Sequence, residues 1–239
     1  MKGLRTMDYR LAGSSLEKGD MARVSAALGL PLADRAPQAV QVLLVTESAA
    51  GELTTALRSR CAAIIEYAEG DLPVTALQDA LAAGHLLVSL TTRMAWTLDT
   101  AAQFCEGLMA RGMMPEGLRH DVELSLHEAI INAVLHGNLA MGGSLVDDPR
   151  QFDAFCQRLG GKLAEPERAL KRINLSAWIA DAHLHVRIAD QGDGYDSALV
   201  RQPATPDAKS GRGLEIMRVM SHGLTVSDGG RTATLRFAI

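Results

Sequence analysis

The stretch ELSLHEAIINAVLHGN, residues 123–138, carries polar side chains four residues apart within an apolar run. This spacing places Glu128, Asn132 and His136 on one face of an α-helix. The other positions are mostly apolar, so the helix should be largely buried, and a buried carboxylate and amide need polar partners. A hydrated Mg²⁺ would satisfy both, and a carboxylate can also accept a proton beside a phosphate. On its own, such a stripe is equally typical of the solvent-facing side of an amphipathic helix.

A second stretch, IADQGDGYD at residues 188–196, places an aspartate and two glycines after a predicted strand. An ionised aspartate only accepts hydrogen bonds, so Asp190 at a rigid strand end can receive the exocyclic amine of adenine. Gly192 and Gly194 lack a Cβ atom, which lets the backbone turn sharply and approach a flat base or a ribose. Aspartate and glycine are also common in turns, so this stretch alone predicts a simple turn as well.

A third stretch, KSGRGLEIM at residues 209–217, has two glycines directly before a predicted helix. Gly211 and Gly213 would leave the free N–H groups at the helix start open to a phosphate, which the helix dipole also favours. Lys209 and Arg212 add positive charge beside them. Alone, this pattern is typical of any loop that leads into a helix.

Helix and strand patterns surround these three stretches. Long helices are predicted at residues 96–111 and 118–135, with a further helix from Pro149 and another at 213–220. Alternating apolar residues on either side of short turns predict two hairpins, with strands at 173–179, 183–189, 223–227 and 232–238. Upstream, strands at 40–46, 62–67 and 85–91 alternate with helices at 51–60 and 74–83, which is typical of an α/β unit.

The order of these features resembles the GHKL ATPase superfamily, which includes gyrase and the histidine kinases. A helix with Glu and Asn, a strand followed by DQGDG, a loop, GRGL and the terminal strand GRTATLRF occur in that order over residues 85–239. HEAIINAVLHGN and GRGLEIMRVMSHGL are most similar to the branch of anti-sigma-factor serine/threonine kinases. The resemblance implies an α/β fold of the Bergerat type, a two-layer sandwich in which helices cover one face of a mixed, mostly antiparallel sheet.

The same resemblance implies roles for individual residues. Glu128 would be the general base, Asn132 the Mg²⁺ ligand, and Asp190 the acceptor of the adenine amine. We expect these residues to contact the nucleotide: Asn132, His136, Asp190, Gly192, Gly194, Lys209, Gly211, Arg212, Gly213, Leu214 and Thr232.

Net charge, cysteine spacing and the length of apolar stretches indicate which partners and which cell compartment to expect. The net charge of −4 gives no general attraction to nucleic acid or to an anionic membrane, and neither is expected as a partner. Three widely spaced cysteines argue against a disulfide framework and fit a reducing cytosol. The first residues, MKGLRTMDYR, lack the apolar core of a signal peptide, and the apolar stretches are too short to span a bilayer. The sequence therefore predicts a cytoplasmic protein.

Three regions are predicted along the chain. Residues 1–37 form an N-terminal arm, 38–84 a small α/β unit, and 85–239 the ATP-binding domain with an insertion at 139–171. The segment VLLVTES in the second region resembles a response-regulator receiver, but only Glu47 stands where an acidic pair is expected. A degenerate receiver and a plain structural attachment both remain open, as does a homodimer.

Three functions are compatible with these features. The first is a regulatory serine/threonine kinase that uses Mg·ATP to phosphorylate an anti-anti-sigma (antagonist) protein and can also sequester a sigma factor. The second is a binding module in which ATP or ADP controls the choice of partner without turnover. The third is a stand-alone histidine-kinase-type catalytic domain. The Glu128–Asn132 pair favours an enzyme, because a module that only binds needs no base.

Overall fold

The computed structural model describes residues 9–13, 16–33, 40–46, 50–59, 61–68, 71–141, 149–194 and 212–239. The strands in these ranges are β1 Tyr9–Gly13, β2 Val40–Thr46, β3 Ala63–Tyr67, β4 Leu86–Thr91, β5 Arg172–Ala180, β6 His183–Ala189, β7 Gly223–Ser227 and β8 Thr232–Ala238. They form a single eight-stranded sheet with the order β1-β2-β3-β4-β5-β6-β8-β7.

Helices connect most of these strands. They are α1 Lys18–Leu28, α2 Ala50–Arg58, α3 Val74–Ala83, α4 Thr92–Thr97, α5 Thr100–Ala110, α6 Arg119–Ile131, α7 Pro149–Ala164, α8 Pro166–Ala169 and α9 Arg212–Met220. A π-helix, Asn132–Asn138, continues directly from α6, and short 3-10 turns lie at Glu116–Leu118 and Asp228–Gly230. Within the described ranges, every helix is too short or too polar to cross a membrane.

The sheet is mixed, and β4 joins its two halves. The pairs β1-β2, β2-β3 and β3-β4 are parallel, whereas β4-β5, β5-β6, β6-β8 and β7-β8 are antiparallel. The predicted α/β class with a mixed sheet is confirmed. Hydrogen bonding is continuous across residue 84, where the sequence suggests a boundary, so the N-terminal strands extend the same sheet. The division into three regions stays a prediction.

Two apolar cores lie on opposite faces of the sheet. The larger core lies under α2, α4, α5, α6, α7 and α9 and includes the inward side chains of β2 to β6 and β8. The smaller core lies under α1 and α3 and takes its strand residues from β1 to β4 only. The C-terminal half is therefore a two-layer sandwich as predicted, and the N-terminal half carries helices on both faces.

Two predicted elements differ from the structure. Residues 1–37 were predicted to form an N-terminal arm, yet they contain α1 and also β1, an edge strand with one buried side chain, Leu11. A strand with a single buried residue has no apolar alternation to detect. The helix predicted at 96–111 is divided into α4 and α5, because the Asp99 carboxylate accepts a hydrogen bond from the Ala102 N–H and caps a new helix start.

The start of β5 is held by a fully buried arginine. Arg172 is 1% exposed, and its guanidinium donates to the carbonyl oxygens of Glu66 at 2.8 Å and Asp71 at 3.0 Å. Both acceptors lie in or just after β3. Arg172 therefore ties the antiparallel half of the sheet to the connection between β3 and α3.

We expect Arg172→Ala to lower the free energy of unfolding by about 3 kcal/mol, because it removes the donor to the carbonyl of the buried Glu66 and opens a cavity. Urea unfolding followed by circular dichroism measures the change. The exposed Arg158 on α7 provides the control, since Arg158→Ala should stay within about 0.5 kcal/mol of the wild type. Equal effects of the two substitutions would show that Arg172 does not hold the two halves together.

Candidate functional site

The start of α9 lies directly on the polar pair of α6. A Cβ atom added at Gly213 would be 2.7 Å from Glu128 Oε2 and 3.2 Å from Asn132 Nδ2. A side chain at position 213 would therefore displace the ends of the Glu128 and Asn132 side chains, whereas glycine leaves them in place. The first and third predicted motifs therefore meet, although they are about eighty residues apart in the sequence.

The polar groups of this pair are available to a ligand. Glu128 and Asn132 are half-buried, and neither side chain makes a hydrogen bond or ion pair with another residue that the structure describes. A half-buried carboxylate and amide without protein partners are costly unless water or a ligand supplies hydrogen bonds or coordination. Carboxylate and amide oxygens are hard ligands, so the pair fits a hydrated Mg²⁺.

Asp190, at the end of β6, packs against the last turn of the same helical segment. A Cβ atom at Gly137 would lie 2.5 Å from Asp190 Cγ, and one at Gly192 would lie 2.5 Å from the carbonyl carbon of Gly137. Two glycines thus allow the strand end and the π-helix to touch through their backbones. The second motif therefore lies against the π-helix that begins at Asn132.

The Asp190 carboxylate is partly desolvated. Burial raises the pKa of this carboxyl, while the hydrogen bond that the Gly192 N–H donates to Oδ1 at 2.8 Å and the charge of Arg231 lower it. A carboxylate in such a place is a strong hydrogen-bond acceptor because little water competes with its donor. This environment suits recognition of an N–H donor on a ligand.

Asn138 fixes the contact between the end of the π-helix and the end of β6. It was not among the residues predicted for the site. Its side chain is fully buried, with Oδ1 accepting from the Gln191 N–H at 2.7 Å. Its Nδ2 donates to Thr92 Oγ1 at 2.8 Å and to the Arg172 carbonyl at 3.1 Å. The amide thus uses both donors and its acceptor to hold the residue after Asp190. The available signal was a polar residue ending an apolar helix, which must find partners if it is buried.

The remaining predicted residues lie in different places. Gly194 has φ +76° and packs against the carbonyl of Gly229, so its backbone needs glycine. His136 is exposed, and its Nδ1 lies 3.0 Å from the Met141 carbonyl oxygen rather than on the Glu128–Asn132 pair. The widening of the helix into a π-helix at Asn132 breaks the four-residue spacing on which the prediction for His136 relied.

Thr232 lies at the same end of the sheet as Asp190, because it pairs with Ala189. Strand alternation, however, turns its side chain to the face opposite the one that carries Ile188. Leu214 is half-buried against the larger core. Lys209 and Gly211 lie outside the described residues, and for Arg212 only the backbone, at the start of α9, is described.

A separate cavity of about 900 Å³ lies on another side of α6. It is bordered by α4, the start of α5 and the residues around Glu116–Leu118, and Trp96, Leu98, His127 and Ile131 are among its lining residues. Neither Glu128 nor Asp190 lines it. The glycine-mediated contacts, rather than this cavity, bring the predicted motifs together.

A comparison with known protein families identifies a nucleotide-binding domain in the part of the chain that contains Asp190 and Gly213. The family model of the histidine kinase-like ATPase domain matches residues 161–237. This range contains Asp190, Gly192, Gly194 and Gly213, whereas Glu128 precedes it. A comparison with curated proteins gives no match. The match implies ATP binding by this part of the chain, and the structure places Glu128 and Asn132 against it.

We expect Gly137→Ala to weaken ATP binding by at least about tenfold, because the added methyl group would displace the Asp190 carboxylate. Titration calorimetry with ATP measures the loss. Gly160, inside α7, is the control, since a Cβ atom there meets nothing within 4 Å. Gly160→Ala should leave the affinity unchanged and stabilise the helix. If Gly137→Ala bound ATP as tightly as the wild type, Asp190 would not contact the nucleotide.

The raised pKa of Asp190 also predicts an effect on stability. A carboxyl with a higher pKa in the folded state opposes folding at pH values above that pKa, and this penalty disappears as the pH falls below the unfolded value. Asp190→Asn should therefore be at least as stable as the wild type at pH 7, while binding ATP more weakly.

Urea unfolding of both proteins at neutral and acidic pH tests this prediction, and any gain in stability should shrink toward acidic pH. The exposed Asp153 on α7 is the control position. A clear loss of stability in Asp190→Asn at pH 7 would mean that the charged carboxylate stabilises the fold.

Proposed function

We propose that this chain binds Mg·ATP and acts as a regulatory serine/threonine protein kinase of the anti-sigma-factor type. The main support is the contact of Gly213 with Glu128 and Asn132, because it places an acid and an amide oxygen at the start of a helix. A helix N-terminus favours phosphate groups, and the acid–amide pair suits the metal that accompanies them.

The adenine ring would lie at the end of the site that is formed by Asp190. Asp190 would accept a hydrogen bond from the exocyclic amine of adenine, and Gly192 and Gly194 would let the ring approach the backbone. From there the nucleotide would extend along the helical segment toward Asn132, so that its phosphates reach the start of α9. Asp190 therefore discriminates in favour of adenine, because guanine has a carbonyl oxygen where adenine has the amine.

Asn132 would hold Mg²⁺ through its side-chain oxygen, with Glu128 close enough to bind a water of its hydration shell. When bound, the metal neutralises negative charge on the phosphates. The chain itself contributes position and a fixed arrangement of polar groups, since Gly213 lets the start of α9 lie directly on Glu128 and Asn132.

Glu128 would act as the general base. The hydroxyl oxygen of a serine or threonine on the partner attacks the γ-phosphorus, the bond to the bridging oxygen of ADP breaks, and the hydroxyl proton passes to the Glu128 carboxylate. A carboxylate with no cationic partner among the described residues is free to take that proton. The acceptor we propose is an anti-anti-sigma protein, and the same chain would sequester a sigma factor when that acceptor is phosphorylated.

We expect Glu128→Gln to keep its affinity for Mg·ATP and to slow phosphoryl transfer by about a hundredfold or more. Release of ADP from labelled ATP, followed under single-turnover conditions with the protein partner present, measures transfer. Glu123→Gln on the same helix is the control, because that carboxylate pairs with Arg119 at 3.1 Å and faces away from Gly213. The control should transfer phosphate at the wild-type rate.

Other outcomes would favour the alternative functions. Unchanged transfer in Glu128→Gln would contradict the assignment of the base. Tight ATP binding without any turnover by the wild type would identify a binding module that is controlled by the nucleotide. Acid-labile rather than acid-stable phosphate on the partner would identify a histidine acceptor and hence a catalytic domain of the histidine-kinase type.

A further inference from the structure

One face of the antiparallel half of the sheet is left uncovered by the helices in the described part of the chain. The core under α1 and α3 takes its strand residues from β1 to β4, so β6 to β8 lie beyond these helices. We call this surface the open sheet face. It consists of the outward positions of β6, β7 and β8 and of the end of β5 from Trp178, whereas the earlier part of β5 is covered, since Ser176 is buried.

A stack of aromatic rings crosses this face. Trp178 lies between His85 and His185, with ring centroids 4.3 Å and 5.0 Å apart and interplanar angles of 6° and 11°. His183 continues the row from His185 toward His222. Stacking on both sides fixes the orientation of the indole ring.

The face carries basic groups without acidic neighbours on its strands. Arg187 and Arg236 project from adjacent strands, and none of the outward positions of β5 to β8 is an aspartate or glutamate. Arg187 makes no hydrogen bond or ion pair with another described residue, while Arg236 donates to the His222 carbonyl at 3.4 Å. The net charge of the whole chain is −4, so the charge of this face is opposite to the net charge of the protein.

Chemistry distinguishes between possible anionic partners. Single-stranded nucleic acid is normally bound by stacking its bases on free aromatic rings. Both faces of Trp178 are already covered by histidines, so the open sheet face offers no free surface of that residue to a base. Carboxylates, in contrast, can pair with Arg187 and Arg236 at the edge of the stack.

We propose that the open sheet face binds an acidic segment of a protein partner, through Arg187 and Arg236 beside the rigid Trp178 stack. This surface lies on the opposite side of the sheet from Glu128 and Asp190. It would recruit a partner without occupying the nucleotide site. The proposal does not depend on the kinase activity.

The fluorescence of Trp178 provides a direct test. The chain has two tryptophans, so Trp96→Phe leaves Trp178 as the reporter. Titration with a short peptide of alternating glutamate and serine at low salt should change the emission, whereas the matching glutamine peptide should not. The double variant Arg187→Glu, Arg236→Glu should weaken peptide binding by about tenfold or more.

A matched double variant, Arg158→Glu with Arg218→Glu, reverses two exposed charges on α7 and α9 and should bind the acidic peptide about as tightly as the parent. Both double variants should retain wild-type affinity for ATP, which separates this test from that of the nucleotide site. The proposal is overturned if the acidic peptide leaves the emission unchanged or if the Arg187–Arg236 reversal binds as well as the parent. Tighter binding of oligothymidine than of the peptide would also overturn it, in favour of nucleic acid.

Discussion

The buried amide of Asn138 is the constraint on which the geometry of the candidate site depends. It hydrogen-bonds to the backbone on either side of the junction, at Arg172 and Gln191, and to the Thr92 hydroxyl. Because a buried amide that loses a partner is costly, the end of the π-helix, the start of β5 and the end of β6 are fixed relative to one another. Arg172 then extends this arrangement to the parallel half of the sheet through Glu66 and Asp71.

Glycine, rather than a charged side chain, brings the motifs together. Gly213 allows α9 to approach Glu128 and Asn132, while Gly137 and Gly192 allow the end of β6 to approach the π-helix. The helical segment running from α6 into the π-helix thus contacts both other motifs, one near each end. In the proposed binding mode, a nucleotide that follows this segment would meet Asp190 at one end and the Glu128–Asn132 pair at the other. On the opposite face, the helices in the described part of the chain leave β6 to β8 uncovered.

Much of this arrangement could be predicted from local sequence patterns. The strands β2, β6, β7 and β8 match their predicted bounds because alternation and turn residues mark them clearly. The convergence of Glu128, Asp190 and Gly213 was implied only by resemblance, since contacts between distant residues leave no local pattern. Asn138 was missed because nothing in its neighbours shows that it is buried. The prediction for His136 used four-residue spacing, which the π-helix changes, and that for Thr232 came from resemblance. Contact of either residue with a nucleotide stays a prediction.

We propose that Asp190 and the Glu128–Asn132 pair bind opposite ends of one adenine nucleotide. Titration calorimetry of the wild-type protein with ATP and with GTP, each with and without Mg²⁺, tests it most directly. We expect ATP to bind at least about tenfold more tightly than GTP, and Mg²⁺ to strengthen the binding of ATP. Equal affinity for the two nucleotides, or no heat of binding with ATP, would contradict it.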